Sequence, residues 1–178
     1  MIKKIYLDAG HGGSDPGACG NGLKEADLTI KVIKYTAAEL KKNYVCKVYT
    51  DITSEDSLTT ICNRANKWGA DLVLSDHFNA GRGNGFEALV YSIRTKELGL
   101  IMEKHIKKIG QNSRGVKYRP DLGILRLTTM PAVLNEIAFI DNKKDIRDWD
   151  ENAELKKVAK AQAKAVAEYL KLPKKINK

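Results

Sequence analysis

Short apolar runs of strand length alternate with longer segments of helical period along almost the whole chain. That alternation restricts it to a sheet with helices packed on its faces, an α/β fold. Strand-like runs cover residues 2–7, 45–49, 71–74, 86–91 and 132–136. Between the first two, Leu28, Val32, Ile33, Ala37 and Leu40 recur at helical spacing over residues 25–42. Leu58, Ile61, Ala65 and Trp68 mark a helix that stops at Gly69, and Leu98, Met102, His105 and Ile109 mark one that ends at Gly110. A final helix carries Leu155, Val158, Gln162, Val166 and Tyr169 on one face and is closed by Pro173. Residues 79–85, with three glycines, read as a loop, and residues 115–123 as an irregular basic stretch leading into 124–127.

With 178 residues the chain is the size of one domain, expected over residues 1–172, with 173–178 as a linker-like tail. The 31 basic residues against 22 acidic give a net charge of +9, which favours polyanionic partners such as acidic wall polymers. No arginine-aromatic motif, basic zipper or Cys/His finger is present, so nucleic acid is not expected as a partner. Cys19, Cys46 and Cys62 have no C-x-x-C spacing, which argues against a disulfide framework or a thiolate metal site. No apolar stretch has signal-peptide or membrane-span length, so the expectation is cytoplasmic synthesis without membrane insertion.

Chemistry-bearing side chains sit just past the strand-like runs, where open α/β sheets place their sites. His11 follows the first run in Asp8-Ala9-Gly10-His11-Gly12-Gly13, His77 follows the third in Ser75-Asp76-His77, and Glu136 closes the last. With Glu25, the two histidines supply three nitrogen or oxygen ligands, the set that holds catalytic zinc and leaves a position open for water. Glu136 is then the candidate carboxylate for moving protons. The glycines around His11 lack the Lys-Ser/Thr of a phosphate cradle and read as turn geometry around a ligand. His105 falls on a helix stripe and is read as packed.

The blocks 8–18, Glu25, Ser75-x-His77-x-Asn79-Ala80, Gly85-x-Glu87 and Pro131-Ala132-Val133-Leu134-x-Glu136-x-x-Phe139-Ile140-x-Asn142 resemble, in order, the zinc-dependent N-acetylmuramoyl-L-alanine amidases of the third amidase family, the type found as phage and prophage endolysin catalytic domains. The resemblance implies a single domain with a mostly parallel six-stranded sheet flanked by helices. It implies hydrolysis of the amide joining N-acetylmuramic acid to L-alanine in peptidoglycan, Zn2+ on His11, Glu25 and His77, and Glu136 as the catalytic carboxylate. In that setting the tail would lead to a wall-binding domain, and the protein would act on the wall after release from the cell.

Two positions depart from the family pattern: Asp76 and Asn135 replace usually apolar residues beside His77 and Glu136. Strand alternation should turn Asp76 away from the metal. Asp8, Asn79, Glu87 and Arg126 are further candidates for contacting substrate or orienting the ligands; Arg126 suits a stem-peptide carboxylate. Two rival readings remain: a non-catalytic basic module that binds the cell wall, and a zinc peptidase that cuts the stem peptide.

Overall fold

The computed structural model describes residues 1–52, 56–147, 149 and 151–176. Strands β1 (Lys4–Ala9), β4 (Lys47–Asp51), β5 (Leu72–Asn79), β6 (Phe86–Val90), β7 (Ser113–Tyr118) and β8 (Ala132–Phe139) form one sheet in the order β4-β1-β5-β8-β6-β7, and β2 (Cys19–Gly20) and β3 (Leu23–Lys24) form a small separate hairpin. Within the six-stranded sheet the pairings are parallel except β6 with β8, and the hairpin is antiparallel. The helices are α1 (Glu25–Asn43), α2 (Leu58–Trp68), α3 (Lys96–Lys107), α4 (Gly123–Arg126), α5 (Lys143–Ile146) and α6 (Asn152–Leu170).

Alternation along each strand sorts the apolar side chains into two layers. Ile5, Leu7, Leu72, Leu74, Ala88, Val90 and Val133 face the long helices α1, α3 and α6. Tyr6, Val73, Leu89, Ala132 and Leu134 face Ile61, Cys62 and Ala65 of α2 and Ile124 and Leu125 of α4. Helix α4 is a single turn, so this second face is only partly covered, and the open part lies at the C-terminal end of the parallel strands. No described helix is long and apolar enough to cross a membrane.

The basic stretch expected to be irregular from residue 115 instead supplies the outer part of β7, and residues 123–126 form α4. An edge strand has a solvent-facing side and tolerates the lysines, arginines and glycine that hid it in the sequence. Residues 173–175 pack beside the α1–β4 junction, where Val45 N donates to Pro173 O at 2.9 Å and Lys175 N donates to Asn43 O at 2.9 Å. Residues 177–178, the end of the expected tail, lie outside the described residues.

Asp76 and Asn135, in register on β5 and β8, point into the helical layer, as alternation requires. Asp76 Oδ1 accepts from Asn135 Nδ2 at 3.1 Å and from Gln162 Nε2 of α6 at 2.7 Å, and Gln162 Oε1 accepts from Thr36 Oγ1 of α1 at 2.7 Å. The group thus ties the sheet to both helices. Asp76 Oδ2 and Asn135 Oδ1 are buried without a hydrogen-bond partner among the described residues. Burial pushes the Asp76 carboxyl up to about 7, against the opposing pull of the Asn135 and Gln162 hydrogen bonds. Because the folded value is the raised one, stability from this group is present in acid and is lost as pH rises from about 4 to about 7. Asp76→Asn keeps the acceptor and replaces the orphaned oxygen with a donor. Thermal melts should show the variant gaining on the wild type across that window, by a few kcal/mol at the upper end, with a constant difference above it.

Candidate metal centre

The end of β1 runs into a glycine-rich turn that places His11 at φ 62°, a left-handed conformation uncommon outside glycine. His77 lies near the end of the adjacent β5, and Glu25 is the first residue of α1. One ligand atom from each of His11, Glu25 and His77 can be chosen so that all three lie within 4.8 Å of one another. Glu25 Oε1 faces His77 Nδ1 at 2.9 Å, and Glu25 Oε2 lies 3.4 Å from His11 Nε2. Backbone donors fix this carboxylate: Phe78 N to Oε1 at 2.9 Å and Ala18 N to Oε2 at 2.8 Å. His11 Nδ1 is held by Asp15 at 2.7 Å, which sets the ring's orientation. Asp15 lies within the block 8–18, and its position four residues after His11 is the signal the sequence offers for this contact.

Two glycines leave room for this packing. A Cβ on Gly10 would come within 2.3 Å of the His77 ring, and one on Gly17, at φ +65°, would come within 2.7 Å of both Glu25 Oε2 and the His11 ring. Gly10→Ala is therefore expected to displace His77. Metal content after dialysis should fall well below the wild type in protein that still shows the wild-type far-ultraviolet circular dichroism.

Glu136 is the in-register neighbour of His77 on β8, and Glu87 is the neighbour of Glu136 on β6, so the three side chains form a row across the open face. Glu136 Oε2 is buried with no hydrogen-bond partner among the described residues. Burial, with the Glu25 and Glu87 charges, pushes the Glu136 carboxyl up to about 7 against the opposing charges of His77 and His11. Glu25 behaves oppositely. Burial alone would raise it, but the His77 hydrogen bond and charge and the two backbone amides hold it below its ordinary value. Two buried carboxyls in one centre are thus divided between a charged ligand and a group able to exchange protons near neutrality.

The remaining candidates separate. Asp8 accepts from Ser75 Oγ at 2.6 Å, and with His11, His77, Leu58, Ile61, Leu122, Ile124 and Leu134 it lines a cavity of about 360 Å³ beside the histidines. Asn79 Nδ2 donates to Glu87 Oε2 at 3.4 Å. Glu87 accepts from Arg114 Nε and from Lys117 Nζ, the latter at 2.6 Å. Arg126 is exposed on α4, its side chain makes no hydrogen bond among the described residues, and its charge helps to lower the Asp121 carboxyl. His105 lies away from the cluster, with Nε2 2.8 Å from Glu168. Nothing in the sequence paired Arg114 and Lys117 with Glu87, because that link crosses from β7 to β6.

The donor set of two imidazoles and one carboxylate, backed by two close glycines and an unpartnered carboxylate oxygen in the next strand, fits a catalytic metal ion. The fold and this centre define a metal-dependent hydrolase of the α/β class. Comparison with known proteins makes the assignment specific: the signature of the third amidase family, described as N-acetylmuramoyl-L-alanine amidase, matches residues 5–168, and the chain belongs to that family. The endolysin of Bacillus phage SPP1 is 40% identical over 188 residues, covering 98% of this chain and 69% of the relative. The N-acetylmuramoyl-L-alanine amidase CwlM of Bacillus licheniformis is 38% identical, covering 97% of this chain and 71% of the relative. Among solved structures, the catalytic domain of CwlV, an N-acetylmuramoyl-L-alanine amidase from Bacillus (Paenibacillus) polymyxa var. colistinus, superposes with a TM-score of 0.91 at 27% identity, covering 97% of this chain and all of that domain.

Proposed function

We propose that this protein hydrolyses the amide between N-acetylmuramic acid and L-alanine in peptidoglycan, with Zn2+ held by His11, Glu25 and His77 and Glu136 as the catalytic carboxylate. The observation that carries the reading is the buried, unpartnered Glu136 oxygen one strand from a three-ligand cluster in a chain of the amidase family. Zinc bound there would polarise the scissile carbonyl and acidify the attacking water. Glu136 takes the proton from that water and returns one to the departing L-alanine nitrogen. Its raised pKa suits both tasks near neutral pH. Asp15 and the two backbone amides on Glu25 keep the ligand atoms oriented, so that binding the ion needs little rearrangement.

The biological setting we favour is lysis, with action on the wall after release from the cell, in keeping with the similarity to the SPP1 endolysin. The net charge of +9 would draw the protein to anionic wall polymers as well as to peptidoglycan. Digestion of purified wall, followed by identification of the newly exposed groups, tests the chemistry. The expected product is a free L-alanine amine together with an intact lactyl carboxylate, from protein containing stoichiometric zinc. A different new amino terminus would show a stem-peptide peptidase, and binding without release would show a wall-binding module.

A further inference from the structure

Glu87 is 5% exposed, and both Arg114 and Lys117 of the edge strand reach back over β6 to the same oxygen, Oε1. One buried carboxylate facing two cations leaves one positive charge in excess, beside Glu136 in the same row. The Arg114 guanidinium also lies 5.2 Å from the centre of the Phe139 ring, which fixes its plane. Only its Nε is engaged, so the terminal N–H groups have no hydrogen-bond partner among the described residues. Both cationic side chains are close to half exposed, at 41% and 42%. Across the sheet, the other side of the centre is the mainly apolar cavity floored by Asp8. The open face is therefore asymmetric, cationic toward β7 and mainly apolar toward β1 and α2.

From this asymmetry we infer that Arg114 and Lys117 form a carboxylate subsite that orients the substrate, with the peptide running toward β7. The inference rests on the amidase reading and adds the direction of binding and a determinant of specificity. The distances are compatible. Glu87 draws the two cations over β6, one strand spacing or about 5 Å from β8. A residue of extended peptide spans about 3.5 Å, so the residue after L-alanine brings a free carboxylate to that place. A planar guanidinium with unused paired N–H groups suits such a group, and Lys117 adds a second, adaptable donor.

The test uses two soluble muropeptides that differ only in whether the residue after L-alanine bears a free carboxylate or a carboxamide. Wild-type protein should favour the carboxylate by about tenfold in kcat/KM, mainly through KM, the effect of one charge-assisted hydrogen bond. In Arg114→Gln and in Lys117→Gln that ratio should shrink toward one, while Arg114→Lys should keep part of it. The ratio is taken within each variant, so a lower folded fraction cancels. Equal rates on both substrates in the wild type, or a preference that persists in both glutamine variants, would overturn the inference. Equal loss on both substrates with an altered pH profile would also overturn it, and would assign the two cations to tuning Glu87 and Glu136 alone. Failure to cut either muropeptide would remove the amidase reading and this inference with it.

Discussion

Replacing Glu136 with glutamine is expected to lower amide hydrolysis by about 10² to 10⁴-fold while zinc per folded molecule stays at the wild-type level. Glu136 lies outside the three-ligand cluster, so its removal takes nothing from the ion. What it removes is the group able to move a proton between the attacking water and the leaving nitrogen. Because the Glu136 Oε2 atom has no hydrogen-bond partner among the described residues, the amide substitution breaks no bond seen there, and stability should change little or rise slightly. Metal analysis and a cleavage assay on one purified sample decide the matter. A variant that has lost its zinc, or one that still turns over at wild-type rate, would reassign the residue.

Glu25→Gln should fail in the opposite manner, with metal and activity lost together and stability reduced. A neutral amide oxygen is a poor substitute for a carboxylate ligand. The side chain also accepts from Phe78 N, Ala18 N and the His77 ring, and an amide cannot accept through both of its ends. One buried backbone donor left unpaired costs about 1–3 kcal/mol. The pH dependence follows from the lowered carboxyl of Glu25. A depressed folded value means that the contribution is present above the ordinary carboxylate range and is lost as pH falls through the folded value. Metal-free wild type should therefore lose stability in acid more steeply than metal-free Glu25→Gln. Parallel acid titrations of the two would refute the assignment of Glu25 as a charged, hydrogen-bonded ligand.

Much of the candidate centre was legible before folding because its residue types stand out beside apolar runs, although β5 and β8 continue past His77 and Glu136 to Asn79 and Phe139 instead of ending at them. His11, His77 and Glu136 each follow an apolar run, and the family pattern tied Glu25 to them. Alternation also placed Asp76 on the face away from the candidate ligands, since neighbouring side chains on a strand must diverge. The basic edge strand β7 was not legible. Its lysines, arginines and glycine carry the signal of an exposed loop, and only pairing with β6 makes residues 113–118 a strand. Asp15 was visible in the motif but not as the partner of the His11 ring, because that contact depends on the left-handed turn at His11.

The sequence by itself determined the α/β class and marked His11, Glu25 and His77 as candidate ligands with Glu136 as the candidate carboxylate, because hydrophobic periodicity and ligand chemistry are written locally. Tertiary structure alone decided which groups share a face. The antiparallel insertion of β6 between β8 and β7 brings Glu87 beside Glu136 and carries Arg114 and Lys117 into the same row. The single-turn α4 leaves the second face partly covered, and a cavity opens next to Asp8 and the histidines. Strand order and direction are set by long-range pairing and by the total fit of helices against the sheet, and no local pattern encodes either.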